Sequence, residues 1–103
     1  MEITLDSPLD MHIHFRDGDM LKLVAPLTAK YFCGAVVMPN LVPPVDSVER
    51  VVAYRERILE AVKGEKFDPF MIAFFRNFTP KELKELKKHV LAVKLYPDGI
   101  TTN

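Results

Sequence analysis

Apolar and polar positions alternate along this chain in two rhythms. From Leu9 to Arg16, "LDMHIHFR" sets Met11, Ile13 and Phe15 between Asp10, His12, His14 and Arg16, the period of two that belongs to a β-strand. The pattern predicts that the four polar side chains share one face and that the other face is apolar. Gly18 follows, then Asp19 as an expected N-cap, and Leu21, Val24 and Leu27 recur at helical spacing, with Pro26 expected to kink or divide the segment. "GAVVMPN", Gly34 to Asn40, is a short apolar run closed by a turn signal and predicts a buried strand. After the helix-breaking "LVPPV", Asp46 and Glu49 form a capping-box-like start. The helix they open carries Val48, Val51, Val52, Ile58, Leu59 and Val62 on one stripe and is expected to end at Gly64.

The second half repeats the theme. "FDPFMIAFF", Phe67 to Phe75, is rich in aromatics and too short for a typical buried helix, so its core reads as a strand. "TPKE" combines a capping threonine, Thr79, with Pro80 at the first helical position and Glu82 three residues after the cap. Leu83 and Leu86 are expected to face inward, and the surrounding lysines and Glu85 to form a solvated face. "VLAVKLYP", Val90 to Pro97, predicts a fourth strand. Strands alternating with helices imply a parallel sheet, hence an α/β protein, either doubly wound or a (β/α)8 barrel. Polar residues late in the strands, and no glycine-rich loop after the first, favour the barrel. A barrel needs about 250 residues, so these 103 are expected to be the first half of one, a single-domain fragment.

Composition narrows the function classes. Fourteen basic residues balance fourteen acidic ones, which gives no electrostatic reason to expect a nucleic acid or an anionic membrane as partner. No apolar run is long enough to span a bilayer, and Glu2, Asp6 and Asp10 do not suit a signal peptide; a soluble cytoplasmic protein is expected. The one cysteine, Cys33, reads as a small core residue rather than a nucleophile.

Candidate chemistry collects on the strands. His12 and His14 stand two apart, about 6.5 Å between Cα atoms, a weak signal when taken alone: both rings can reach one metal ion, or they sit hydrogen-bonded on a wet face. Arg16 continues that face with a planar fork suited to a carboxylate or phosphate, the bland reading being a salt bridge to Asp17 or Asp19. Lys94 interrupts an apolar strand of the kind buried on both faces. Either its stem carries the charge out at the strand end, or desolvation favours a neutral, nucleophilic amine able to add carbon dioxide as a carbamate. Asn40 ends the second strand and reads as a substrate-binding amide or as a turn residue. His89 suits a helix C-terminus and is assigned no catalytic role.

Taken together, "DMHIHFRDGDML", "VVMPNLVPP" and "AVKLYPDGITTN", with the "VAYRERILEAV" helix between them, resemble the N-terminal third of a bacterial single-domain dihydroorotase. The histidine pair is shared with the wider amidohydrolase superfamily, hydantoinases included. The resemblance implies a (β/α)8 barrel with two zinc ions: His12 and His14 as ligands, Lys94 carbamylated by carbon dioxide and bridging the metals, Arg16 and Asn40 holding the substrate carboxylate, and Thr101 and Thr102 on a loop that closes over substrate. It implies reversible cyclisation of N-carbamoyl-L-aspartate to L-dihydroorotate in pyrimidine biosynthesis, commonly by a homodimer. The further histidines and the catalytic aspartate of the family lie on later strands and are absent here, so no catalytic residue is expected within these 103 and the fragment alone is expected to be inactive. Another cyclic amidohydrolase, a non-catalytic scaffold relative and a plain structural fragment are the alternatives.

Overall fold

The computed structural model describes residues 1–96. Four strands, β1 (Leu9–Ile13), β2 (Gly34–Val37), β3 (Asp68–Phe74) and β4 (Ala92–Lys94), form one parallel sheet in the order β1-β2-β3-β4. Three helices connect them: α1 (Gly18–Tyr31), α2 (Val48–Ala61) and α3 (Pro80–Leu86). Ala35 and Val37 of β2 and Met71 and Ala73 of β3 pack in one apolar cluster with Leu21, Ala25 and Ala29 of α1, Val51, Tyr54 and Ile58 of α2, and Leu86 of α3. All three helices therefore cover the same face. A doubly wound sheet sends helices to both faces; strands in sequential order with helices on one side are an arc of a barrel. The opposite face, the inside of that arc, holds the smaller cluster of Val36, Met38 and Ile72.

Strand spacing depends on Gly34. A Cβ there would lie 2.7 Å from the Asp68 carbonyl oxygen, so only glycine lets β2 and β3 approach this closely.

Several local expectations are corrected. In β1, Asp10 pairs with Ala35 but Ile13 pairs with Val37, three residues against two, so the register shifts between them. Strict alternation breaks there, and Asp10 does not share the histidine face; its carboxylate instead accepts the His12 main-chain N–H at 3.0 Å. Nor is the apolar side of β1 uniformly covered, since Met11 is 65% exposed. The cap of α1 is Asp17, not Asp19: its carboxylate accepts the Gly18 N–H at 2.9 Å. Pro26 lies inside an undivided α1, whose buried residues are Leu21, Ala25 and Ala29, while Leu27 is exposed. Helix α2 is capped by Ser47, which accepts the Arg50 N–H; Asp46 is instead the partner of Arg50 and Arg76. The helix closes at Val62, two residues before Gly64. The cap and proline of α3 fall where the spacing places them, but Leu83 is exposed and only Leu86 is buried. The fourth strand is shorter than its apolar run, and Val93 is 39% exposed, so β4 is not buried on both faces.

Candidate metal and substrate site

The face that carries the chemistry follows from register. Ile13 packs with the helix-side cluster, so His12 and His14, on either side of it in sequence, point to the inside of the arc. Lys94 pairs with Phe74, in phase with Ile72 of the inner cluster, and so points to the same side. Two imidazoles from β1 and one amine from β4 thus face the same interior.

The imidazoles converge: His12 Nε2 and His14 Nε2 are 3.1 Å apart, with ring centroids at 5.1 Å. Two nitrogens bound to one tetrahedral zinc at about 2.0–2.1 Å would be separated by roughly 3.3–3.4 Å, so the pair fits one edge of such a site. Nδ1 of His14 is buried with no hydrogen-bond partner among the described residues. A metal on Nε2 would put the ring proton on Nδ1, and the acceptor that would fix that tautomer is not among them. Burial, then the positive charges of Lys94, Arg16 and His12, hold the His14 pKa below its ordinary value, which keeps the imidazole neutral and able to ligate. No group of three or more His, Cys, Asp and Glu placed to hold a metal occurs among the described residues. The pair begins a metal site and does not complete it.

Lys94 meets a neutral partner. Its Nζ donates to Asn40 Oδ1 at 2.6 Å and stands 4.9 Å from the centroid of the Tyr96 ring. Burial, and then the charge of Arg16, lower the Lys94 pKa. Asn40, 3% exposed, is the one buried polar or charged residue among the described residues. The amide expected at the rim is therefore joined to the lysine expected to carry the carbamate.

Arg16 departs from the strand geometry that its spacing suggests. β1 ends at Ile13, and Arg16 adopts φ 59°, a left-handed conformation that costs a non-glycine residue about 1–2 kcal/mol. Two side chains from α2 grip this turn. The Tyr54 hydroxyl donates to the Arg16 carbonyl oxygen at 2.6 Å, and Arg57 donates from Nε and Nη2 to the two oxygens of Asp17, each at 3.0 Å. Asp17, one of the two carboxylates that the bland reading offered to Arg16, takes this fork from Arg57. Neither Tyr54 nor Arg57 was marked as functional by sequence spacing, because the atom that Tyr54 serves is a main-chain carbonyl. Thr101 and Thr102 lie outside the described residues. Cys33 is half-buried, its thiol donating to the Ser7 carbonyl oxygen at 3.1 Å, and His89 is exposed.

No protein-family model matches the chain. Individual relatives do. A dihydroorotase from Acinetobacter baumannii is 53% identical over 105 aligned residues, covering 98% of this chain and 30% of the relative. The crystal structure of a dihydroorotase from Campylobacter jejuni superposes with a TM-score of 0.91 at 54% identity, over 94% of this chain and 29% of that one. A dihydroorotase from Saccharomyces cerevisiae, solved in complex with 5-fluoroorotic acid, gives a TM-score of 0.79 at 33% identity, over 91% of this chain and 26% of its own. The chain thus spans about 30% of the length of the curated relatives it matches. Sharing about half of its residues with those dihydroorotases along nearly its own whole length, the chain follows their backbone path as four strands of a (β/α)8 barrel and is similar to that part of them.

Proposed function

We propose that the protein carrying this chain is a zinc-dependent dihydroorotase, and that these residues supply part of its metal centre and one side of its substrate clamp. The observation that carries the reading is the 3.1 Å approach of His12 Nε2 to His14 Nε2 on the face that Lys94 shares. His12 and His14 would hold zinc, and Lys94 would hold two zinc ions through a carbamate. Zinc, when bound, supplies Lewis-acid polarisation of a carbonyl and acidifies water.

The chain's own groups account for the rest. A free lysine is almost entirely protonated at neutral pH and does not add carbon dioxide. Burial, and then the charge of Arg16, make Lys94 lose its proton more readily. Its nitrogen lone pair then bonds to the carbon of carbon dioxide, and the amine gives up a proton, leaving an anionic carbamate. Arg16 presents a guanidinium fork for the carboxylate shared by L-dihydroorotate and N-carbamoyl-L-aspartate, and Asn40 adds an amide N–H₂ donor. Holding that carboxylate fixes the ring relative to the metals, which is where orientation lowers the barrier. The general acid–base group would come from residues other than these, and Thr101 and Thr102 would contact bound substrate. A homodimer in the cytoplasm completes the reading.

The test is zinc analysis and L-dihydroorotate hydrolysis by the full-length protein. Two zinc ions per chain with turnover are expected. Turnover of a hydantoin but not of dihydroorotate would replace the substrate assignment, and folded protein without activity would leave a scaffold relative.

A further inference from the structure

Tyr54 sits in the middle of α2, fully buried, yet its hydroxyl reaches beyond the helix-side core to the carbonyl of Arg16. Burial and the nearby Asp17 carboxylate push the phenol well above its ordinary range, which favours the protonated, donating form. One turn further along the helix, Arg57 clamps the next residue of the same loop, Asp17, and its guanidinium carbon lies 5.3 Å from the Tyr54 ring centroid. Two successive loop residues are thus held by two residues of a single helical turn.

The conformation being held matters because of what it aims. The Arg16 charge acts on both His14 and Lys94, so it lies on their side of the sheet; at φ 59° its Cα–Cβ direction differs from that of a strand residue, and relaxation to negative φ would redirect the guanidinium. A strained residue persists only where its surroundings over-determine it, and the Tyr54 hydroxyl is the contact that does so at the Arg16 carbonyl.

We propose that Tyr54 is a positioning residue for substrate binding: its hydrogen bond locks the Arg16 backbone in the left-handed conformation that points the guanidinium at the substrate carboxylate, with Arg57–Asp17 bracing the adjoining peptide. This rests on the dihydroorotase reading given above. Tyr54 touches neither substrate nor metal. Its effect is felt in binding rather than in the chemical step, and it runs through Arg16.

The test uses the full-length, zinc-loaded protein with L-dihydroorotate, comparing wild type, Tyr54→Phe, Arg57→Gln, Arg16→Lys and the Tyr54→Phe/Arg16→Lys double variant. Tyr54→Phe should raise KM on the order of tenfold while kcat stays within about twofold, the size of one lost positioning hydrogen bond. Zinc content should not change. In the Arg16→Lys background the same substitution should add little, because the group it positions is already gone. Arg57→Gln, on a half-exposed side chain, should raise KM in the same direction by less, and it stands in should Tyr54→Phe fail to fold. An unchanged KM, a loss confined to kcat or zinc, or effects that multiply fully in the double variant would overturn the proposal. Failure of the dihydroorotase reading is seen separately, as absence of turnover in the wild type.

Discussion

Lys94 Nζ and Asn40 Oδ1 meet at 2.6 Å although 54 residues separate them, joining the end of β4 to the loop after β2 across the intervening β3. The buried amide orients the amine, and the amine satisfies the amide oxygen. Asn40→Ala in the full-length protein would leave Lys94 without its acceptor and a small void where the amide stood. A loss of about 1–3 kcal/mol in urea denaturation is expected. The KM for L-dihydroorotate should rise with it, since Asn40 also serves the substrate carboxylate in the proposed function.

Removing either imidazole should empty the metal edge that the pair defines. His12→Ala and His14→Ala are each expected to lower zinc content, measured by elemental analysis after dialysis, and to take hydrolysis of L-dihydroorotate to background. His89→Ala, at an exposed position outside the site, is expected to change neither. Retention of full zinc by both imidazole variants would remove the pair from the metal centre.

Glu82 predicts an acid-sensitive α3. Hydrogen bonds donated by Arg76, above all, and by the Thr79 hydroxyl hold its carboxyl below the ordinary 4.5. With the folded-state pKa lower than the unfolded one, its contribution is present above about 4.5 and is lost as pH falls through the lower folded value. Stability measured by urea midpoint should therefore fall below pH 4.5 more steeply in the wild type than in Glu82→Gln.

Gly34→Ala tests the closeness of β2 to β3. The added methyl would press on the Asp68 main-chain carbonyl at 2.7 Å, a group with little freedom to move. Destabilisation of about 1–3 kcal/mol is expected from denaturant titration, as for other overpacked sites. A substitution without effect would mean that the sheet spreads at no cost.

The order of elements was legible because hydrophobic period, length and turn residues agreed in most segments, and the start of α3 was legible to the residue because Thr79, Pro80 and Glu82 act on atoms only three positions away. Where two side chains could both have capped a helix, tertiary contacts decided. Asp17 rather than Asp19 caps α1, and the same carboxylate receives Arg57 from a helix 40 residues on. Asp46 yields the α2 cap to Ser47 and takes Arg50 and Arg76 instead. His12, His14 and Lys94 were legible as candidates because their types were out of place on apolar strands. Tyr54 was not, since a tyrosine on the buried stripe of a helix looks like core, and nothing in the local pattern marks a left-handed Arg16. Exposure of Leu27, Leu83 and Met11 was equally invisible, because periodicity reports an apolar stripe without reporting what covers it.

The couple of Tyr54 with Arg16 and Arg57 with Asp17 sets a rule for recombining this chain with its relatives. A chimera whose crossover falls between positions 17 and 54 takes its loop from one parent and its helix from the other. Unless both parents carry the same four residues, such hybrids should inherit a misdirected arginine, whereas junctions before 16 or after 57 keep the quartet whole.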